Sequence, residues 1–190
     1  MKVTQYSEGC GALISDIQLA DLSVTQLADL RTIFAKHGLL FFRDQDFSPQ
    51  DHLQFAQRFG SIVVNKFFRA IEQFPEIAEV RKEKEQQTNI GGGWHTDHSY
   101  DDIPAMGSIL VARKLPETGG DTQFANLANA YDALSPQIKS RIENLRAVHS
   151  NKHLYGENGL YRMTDLAEHL GGMDRVGDAT HPVVIMHPES

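Results

Sequence analysis

Apolar residues recur at helical spacing between residues 23 and 37, which predicts an amphipathic helix that ends at Gly38. A second helix is predicted to begin at Ser48 and Pro49, because serine is a good N-cap and proline suits the first helical turn. This helix is expected to end near Gly60. The first third of the chain is therefore predicted to be rich in helix.

The rest of the chain favours strands. Short apolar runs bounded by Gly, Pro and polar residues predict strands over residues 11–14, 39–42, 106–112, 121–124 and 182–186. Weaker strand patterns lie at residues 63–64 and 77–80, and helical patterns at residues 135–145 and 164–170. A glycine- and proline-rich turn at residues 115–120 separates the two central strands. Strands that follow a group of early helices predict an α+β fold.

Composition limits the class of protein. The chain has 190 residues, 41% hydrophobic and 23% charged, which predicts a single globular domain over residues 1–190. A net charge of −7 argues against nucleic acid or an anionic membrane as a partner, and a homo-oligomer stays possible. The start of the chain lacks an apolar signal segment, and Cys10 is the single cysteine, so a reducing, cytoplasmic location is expected.

His95 and Asp97 carry the most informative chemistry. Two residues apart on an extended segment, they are expected to face the same side and to offer one imidazole nitrogen and one carboxylate oxygen to a single ion. These are two of the three ligands of the 2-His-1-carboxylate triad that holds non-haem Fe(II). A surface histidine beside a turn aspartate is the alternative. His98 is expected to point to the opposite face from Asp97.

The motifs around this pair resemble the TauD/TfdA family of Fe(II)- and 2-oxoglutarate-dependent dioxygenases over nearly all of residues 10–190. The matching stretches are WHTD at 94–97, PAMGSIL at 104–110, LPETGGDT at 115–122, GLLFFRDQ at 38–45, FAQRFG at 55–60, AYDALS at 130–135 and LRAVH at 145–149. The resemblance implies a double-stranded β-helix, the cupin-like jelly roll, with flanking N-terminal helices.

The resemblance also implies the reaction and its cofactors. His95 and Asp97 would bind Fe(II), and Thr122 would hydrogen-bond the cosubstrate 2-oxoglutarate. O2 would be consumed, a small organic acid such as a sulfonate or an aryloxyalkanoate hydroxylated, and succinate and CO2 released. No general acid or base is assigned.

Substrate-binding positions are carried over from the same resemblance. Asn65 and Phe68 stand where family members that act on sulfonates present a histidine and a tyrosine, and Tyr155 stands where the family places an aromatic residue over the pocket. The amide and the plain phenyl ring remove a potential cation and a hydroxyl donor. A bulkier or less polar substrate than taurine is therefore expected, with ordinary packing roles as the alternative.

In the family the third iron ligand and the Arg that pairs with 2-oxoglutarate lie further toward the C-terminus. They are expected beyond Ser190, so the chain is interpreted as the N-terminal portion of such an enzyme, without its C-terminal strands. A third ligand from within the chain is the other possibility, and the candidates are His149, His153, His181 and His187. Two further alternatives stay open: a catalytically silent β-scaffold with weak metal binding, and a cupin-like Zn or Mn site without oxygen chemistry.

Overall fold

The computed structural model describes residues 1–168, 170–171 and 176–190. The chain divides into two compact units. The first unit comprises Met1–Ser61, Ile109–Glu143 and Val184–Ser190, and the second comprises Ile62–Ser108 and Asn144–Val183.

The first unit contains a three-stranded sheet. Strand β1 (Lys2–Gln5) pairs antiparallel with β2 (Ala12–Ser15), and β2 pairs parallel with β3 (Leu40–Phe42). Helix α1 (Val24–His37) makes the crossover between the two parallel strands, as parallel pairing requires. A single turn of 3-10 helix, Leu19–Asp21, precedes it.

Local capping explains why the first two helices form where the sequence predicts them. Ser23 accepts a hydrogen bond from the backbone N–H of Gln26, whose side chain accepts from the Ser23 N–H, and Gly38 ends α1 in the left-handed region with φ 70°. Helix α2 (Pro49–Phe59) has the same reciprocal cap between Ser48 and Asp51. Both predicted helices are confirmed.

The core of the first unit lies between this sheet and these helices. Its buried apolar residues are Ala12, Ile14, Leu19, Leu22, Leu30, Phe47 and Phe55. Two further short helices, α3 (Leu127–Asp132) and α4 (Pro136–Ile142), begin at the caps Asn126 and Ser135.

The second unit is built from two small antiparallel sheets and short helices. Strands β4 (Ala70–Ile71) and β5 (Phe74–Ala78) form one sheet, and β6 (Arg146–Ser150) and β7 (Asp178–Pro182) form the other. The helical segments are α5 (Lys152–Tyr155) and the 3-10 turns Leu160–Met163 and Asp165–Glu168. Its buried core consists of Phe67, Tyr155, Tyr161, Leu166 and Leu170.

Several predicted elements are wrong or displaced. Residues 63–64, 106–112 and 121–124 form no strand ladder. The strand expected at residues 182–186 is also absent, and β7 ends at Pro182, where that strand was expected to begin. The helix predicted for residues 164–170 is the 3-10 turn Asp165–Glu168 within the described part of that segment, and α4 ends at Ile142. A strand needs a partner for its backbone groups, and apolar composition alone does not supply one.

The α+β class is confirmed by the mixture of helices and strands, whereas the ladders in the described ranges form sheets of only three, two and two strands. Within those ranges no helix is long and apolar enough to cross a bilayer.

Candidate metal centre

His95 and Asp97 converge in the second unit. Nε2 of His95 lies 3.2 Å from Oδ1 of Asp97. Two donors that bind one ion at about 2.1 Å with an angle of about 90° between them stand about 3.0 Å apart. The spacing and the donor types, one imidazole nitrogen and one carboxylate oxygen, therefore fit two adjacent positions around a divalent ion.

Backbone contacts fix the orientation of the His95 ring. Its Nδ1 lies 2.7 Å from the carbonyl oxygen of Gly93. A carbonyl only accepts, so Nδ1 carries the proton, and in the neutral ring the lone pair of Nε2 faces Asp97. A carbonyl bound to the far nitrogen of a ligand histidine is a common way to select the metal-binding tautomer.

The second oxygen of Asp97 has its own partner. The hydroxyl of Ser108 donates to Oδ2 across 3.3 Å, while Oδ1 faces the imidazole. One oxygen of the Asp97 carboxylate therefore accepts a hydrogen bond, and the other faces the place that an ion bound by both side chains would occupy.

A compact turn follows the pair and is held by four contacts that involve Asp101. His98, with φ 56°, places its Nδ1 2.9 Å from a carboxylate oxygen of Asp101, and the Asp101 N–H donates to the His98 carbonyl. Lys66 Nζ lies 3.8 Å from the other Asp101 oxygen. His181, on β7, donates from Nε2 to the Asp101 carbonyl at 3.0 Å. The expectation that His98 points to the opposite face from Asp97 stays a prediction.

An aromatic cluster lies close to Asp97. Phe67 and Tyr155 stack with ring centroids 3.9 Å apart, and Tyr100 and Tyr161 meet these rings edge to face. Burial raises the pKa of Tyr100 to about 12, with smaller contributions from the charges of Asp101 and Asp97. Burial also raises the pKa of Tyr155, and the Asp97 charge again contributes. Both phenols therefore lie within electrostatic range of the Asp97 carboxylate.

The three predicted substrate residues lie next to this cluster or within it. Asn65 Oδ1 accepts from the backbone N–H groups of Phe67 and Phe68 at 2.8 and 3.0 Å, so its amide oxygen stabilises a turn. Phe68 packs against the cluster and its backbone pairs with Leu170. Tyr155 is 8% exposed. These contacts are packing and turn contacts, and the substrate roles stay predictions.

Thr122 lies in a solvent-exposed stretch of the first unit outside any helix or strand, next to the turn at residues 115–120. Its proposed contact with 2-oxoglutarate stays a prediction.

The candidate third ligands are engaged elsewhere or exposed. His181 donates to Asp101, His149 packs against the His181 ring at 5.5 Å, and His187 accepts from the backbone of Glu189 and Ser190. His153 is exposed on α5.

In the part of the chain that the structure describes, no group of three or more His, Cys, Asp or Glu side chains is placed to hold a metal. The described residues therefore supply two converging ligands.

Sequence reasoning missed three residues that shape this site: Gly91, Ser108 and Asp101. The run of three glycines before the WHTD stretch is a signal for Gly91, because glycine permits both close approach and positive φ. Ser108 and Asp101 gave no comparable signal, since their contacts depend on how the segment after Asp97 folds back.

One imidazole nitrogen and one carboxylate oxygen therefore converge beside a buried aromatic cluster in the second unit. The sequence profile of the "Taurine catabolism dioxygenase TauD, TfdA family" matches residues 2–190, and the chain belongs to this family.

Comparisons with individual proteins agree with this family assignment. The chain is 31% identical over 186 residues to the (S)-phenoxypropionate/alpha-ketoglutarate-dioxygenase of Sphingobium herbicidovorans, which covers 95% of this chain and 64% of that protein. The structure of a putative alpha-ketoglutarate-dependent taurine dioxygenase from Burkholderia xenovorans superimposes with a TM-score of 0.79 at 30% identity, over 100% of this chain and 62% of that one.

A second similar structure contains ligands. It is AAD-2 in complex with Mn(II) and N-oxalylglycine, with a TM-score of 0.72 and 27% identity over 98% of this chain and 65% of that one. The chain therefore spans somewhat less than two thirds of the length of each of these three proteins. The likeness supports the jelly-roll class to which such dioxygenases belong.

Proposed function

We propose that this chain forms the iron-binding portion of an Fe(II)- and 2-oxoglutarate-dependent dioxygenase. The observation that carries the proposal is the His95–Asp97 pair, with Nε2 and Oδ1 3.2 Å apart and Nδ1 bound to the Gly93 carbonyl. Imidazole and carboxylate together suit Fe(II), and the open positions of a facial triad leave room for cosubstrate and oxygen. The bound iron would supply the oxygen chemistry.

The overall reaction converts an organic substrate R–H, 2-oxoglutarate and O2 into R–OH, succinate and CO2. One oxygen atom enters the substrate and the other enters succinate. The role of this chain is to hold the metal by two ligands and to keep the His95 ring in the tautomer that presents Nε2. Thr122 is proposed to donate a hydrogen bond to a carboxylate of 2-oxoglutarate. N-oxalylglycine, bound in the AAD-2 structure, is an analogue of 2-oxoglutarate and supports this choice of cosubstrate.

The proposed substrate is a small organic acid with an aryloxy or sulfonate group. The relatives named for phenoxypropionate and taurine support this class. Phe68 and Tyr155 are proposed to shape the pocket from within the aromatic cluster, and Asn65 from the turn beside it. The amide of Asn65 and the phenyl ring of Phe68 supply neither a cation nor a hydroxyl donor, which favours a bulkier or less polar substrate over taurine.

The proposal also includes the jelly-roll core over residues 1–190 as a single domain. The third ligand and a carboxylate-binding Arg are proposed to come from sequence that corresponds to the remaining third of the relatives.

Metal binding by the chain tests this function directly. Titration with Mn(II), followed by electron paramagnetic resonance of the free ion, is expected to show one site that His95→Ala and Asp97→Ala each weaken at least tenfold. Asp102→Ala is the matched control, since Asp102 is an exposed carboxylate in the same unit, and it should leave the affinity unchanged. Binding that is absent, or that is unaffected by both ligand substitutions, would favour the silent scaffold instead.

A further inference from the structure

The two ligand side chains are exposed, so packing alone does not hold them in place. The side chain of His95 is 53% exposed and that of Asp97 is 62% exposed. Neither residue belongs to a strand or a helix. Their convergence therefore depends on a few specific contacts with neighbouring groups.

Gly91 allows the first of these contacts because it has no side chain in the space beside the His95 ring. Its φ is 67°, in the left-handed region, and its N–H donates to the hydroxyl of Tyr161 at 3.4 Å. A Cβ placed on Gly91 would stand 3.1 Å from Cε1 of the His95 ring and 3.7 Å from its Nε2. The edge of the imidazole therefore lies where a side chain on Gly91 would project, and a methyl group there would push that edge away by a few tenths of an ångström.

Ser108 provides the second contact. Its hydroxyl donates to Oδ2 of Asp97 and so resists rotation of the carboxylate about its last bond. With Oδ2 engaged, Oδ1 remains the oxygen that faces Nε2 of His95. Groups that orient metal ligands in this way commonly affect metal affinity about 10- to 100-fold.

We propose that Gly91 and Ser108 are positioning residues that preorganise the His95–Asp97 pair: Gly91 leaves the space that the imidazole occupies, and Ser108 fixes the rotation of the carboxylate. Neither residue touches the ion. The inference rests on the metal-binding part of the proposed function.

Three glycine substitutions test the first half. Gly91→Ala is expected to weaken Mn(II) binding at least about tenfold. Gly92→Ala is the local control, because a Cβ there would meet only Asn89, at the ordinary contact distances of 3.5 and 3.8 Å. Gly119→Ala is the control for backbone strain, since Gly119 has φ 78° and likewise open space around its Cβ. Affinity equal to that of either control would overturn the role of Gly91.

Two substitutions of an exposed residue test the second half without endangering the fold. Ser108→Ala removes the donor and is expected to weaken Mn(II) binding about tenfold. Ser108→Thr keeps a hydroxyl and should recover most of the affinity. Equal affinities for all three proteins would contradict the role of Ser108.

A measurement without metal separates this inference from the proposed function. In the metal-free chain, Gly91→Ala is expected to shift the NMR resonance of His95 Cε1, and Ser108→Ala that of the Asp97 carboxyl carbon, while Gly92→Ala shifts neither. Unmoved resonances would refute the positioning roles even in a chain that binds metal. Shifted resonances in a chain that binds no Mn(II) would uphold the positioning roles and refute the metal site.

Discussion

Nε2 of His181 lies 3.0 Å from the backbone carbonyl oxygen of Asp101. His181 belongs to β7, and Asp101 closes the turn that begins directly after the ligand Asp97. This single hydrogen bond ties the ligand-bearing segment to the β6–β7 sheet. The same bond occupies Nε2 of His181, which is one of the two ring nitrogens that could bind a metal as a third ligand.

The first prediction concerns this bond. His181→Ala is expected to lower the free energy of unfolding by about 1 kcal/mol, the usual net value of one hydrogen bond. Hydrogen exchange at the Asp101 amide should accelerate as the turn loosens. His149→Ala is the control, because it removes the neighbouring ring and leaves the His181–Asp101 contact in place. Equal amide protection in both variants would show that His181 does not hold the turn.

The second prediction uses the raised pKa of Tyr100, about 12. In the unfolded chain this phenol ionises near its ordinary pKa of about 10. Between these values the unfolded chain releases a proton that the folded chain keeps, so the free energy of unfolding should fall as the pH rises from about 10 towards 12. Below about pH 10 the phenol stays protonated in both states, so it should add no pH dependence to the free energy of unfolding.

Urea unfolding at several pH values between 9 and about 11.5 measures this slope. Tyr100→Phe should reduce the slope, because the buried ring is kept and the ionisable hydroxyl is lost. Tyr131→Phe, which changes a tyrosine outside the aromatic cluster, is the comparison. A slope in Tyr100→Phe identical to that of the unmodified chain would contradict the assignment.

The third prediction addresses the core of the first unit. Leu30 is fully buried, and Leu30→Ala should destabilise the chain by about 2–5 kcal/mol through lost burial and a cavity. Val24→Ala on the same helix is the control, because Val24 is 81% exposed and its loss should cost less than about 0.5 kcal/mol.

If residues 1–190 form one cooperative domain, Leu30→Ala should also speed hydrogen exchange in β6 and β7. Unchanged exchange there would mean that the two units unfold separately.

Local signals explain which parts of the fold the sequence predicts. Helices α1 and α2 follow from their own caps, Ser23 with Gly38 and Ser48 with Pro49, and these contacts span only a few residues. By contrast, the strands expected at residues 106–112 and 121–124 need partners distant in sequence, and no ladder forms there. Strand β1 and helix α3 carry no strong periodicity and were not predicted.

The same distinction applies to the site. Convergence of His95 and Asp97 is expected from their spacing of two residues on an extended segment. The structure places Nε2 and Oδ1 3.2 Å apart, but outside any strand, so neighbouring contacts contribute to it. The tie from Asp101 to His181 spans 80 positions, and no local pattern indicates it. The stack of Tyr155 on Phe67 is similarly long-range, which is why the sequence marked Tyr155 as a pocket residue only through the family resemblance.

The fourth prediction tests Thr122. In a protein that carries the whole catalytic region, Thr122→Val should raise the 2-oxoglutarate concentration needed for half-maximal succinate formation about tenfold, since a hydrogen bond to a charged group is worth about 1.5–3 kcal/mol. Thr118→Val is the matched control, an exposed threonine in the adjoining turn. The same requirement in both variants would remove Thr122 from the cosubstrate site.

The last prediction concerns turnover by the 190-residue chain itself. The described residues bring together only two of the three ligands of a facial triad, so Fe(II) should be held weakly and catalysis should be slight. The assay supplies Fe(II), ascorbate and 2-oxoglutarate with a panel of sulfonates and aryloxy acids, and it measures succinate. We expect less than about one succinate per chain, with His95→Ala as the blank.

Sustained turnover would show that a ligand inside the chain completes the site. Alanine substitutions would then identify it among the candidates His149, His153, His181 and His187.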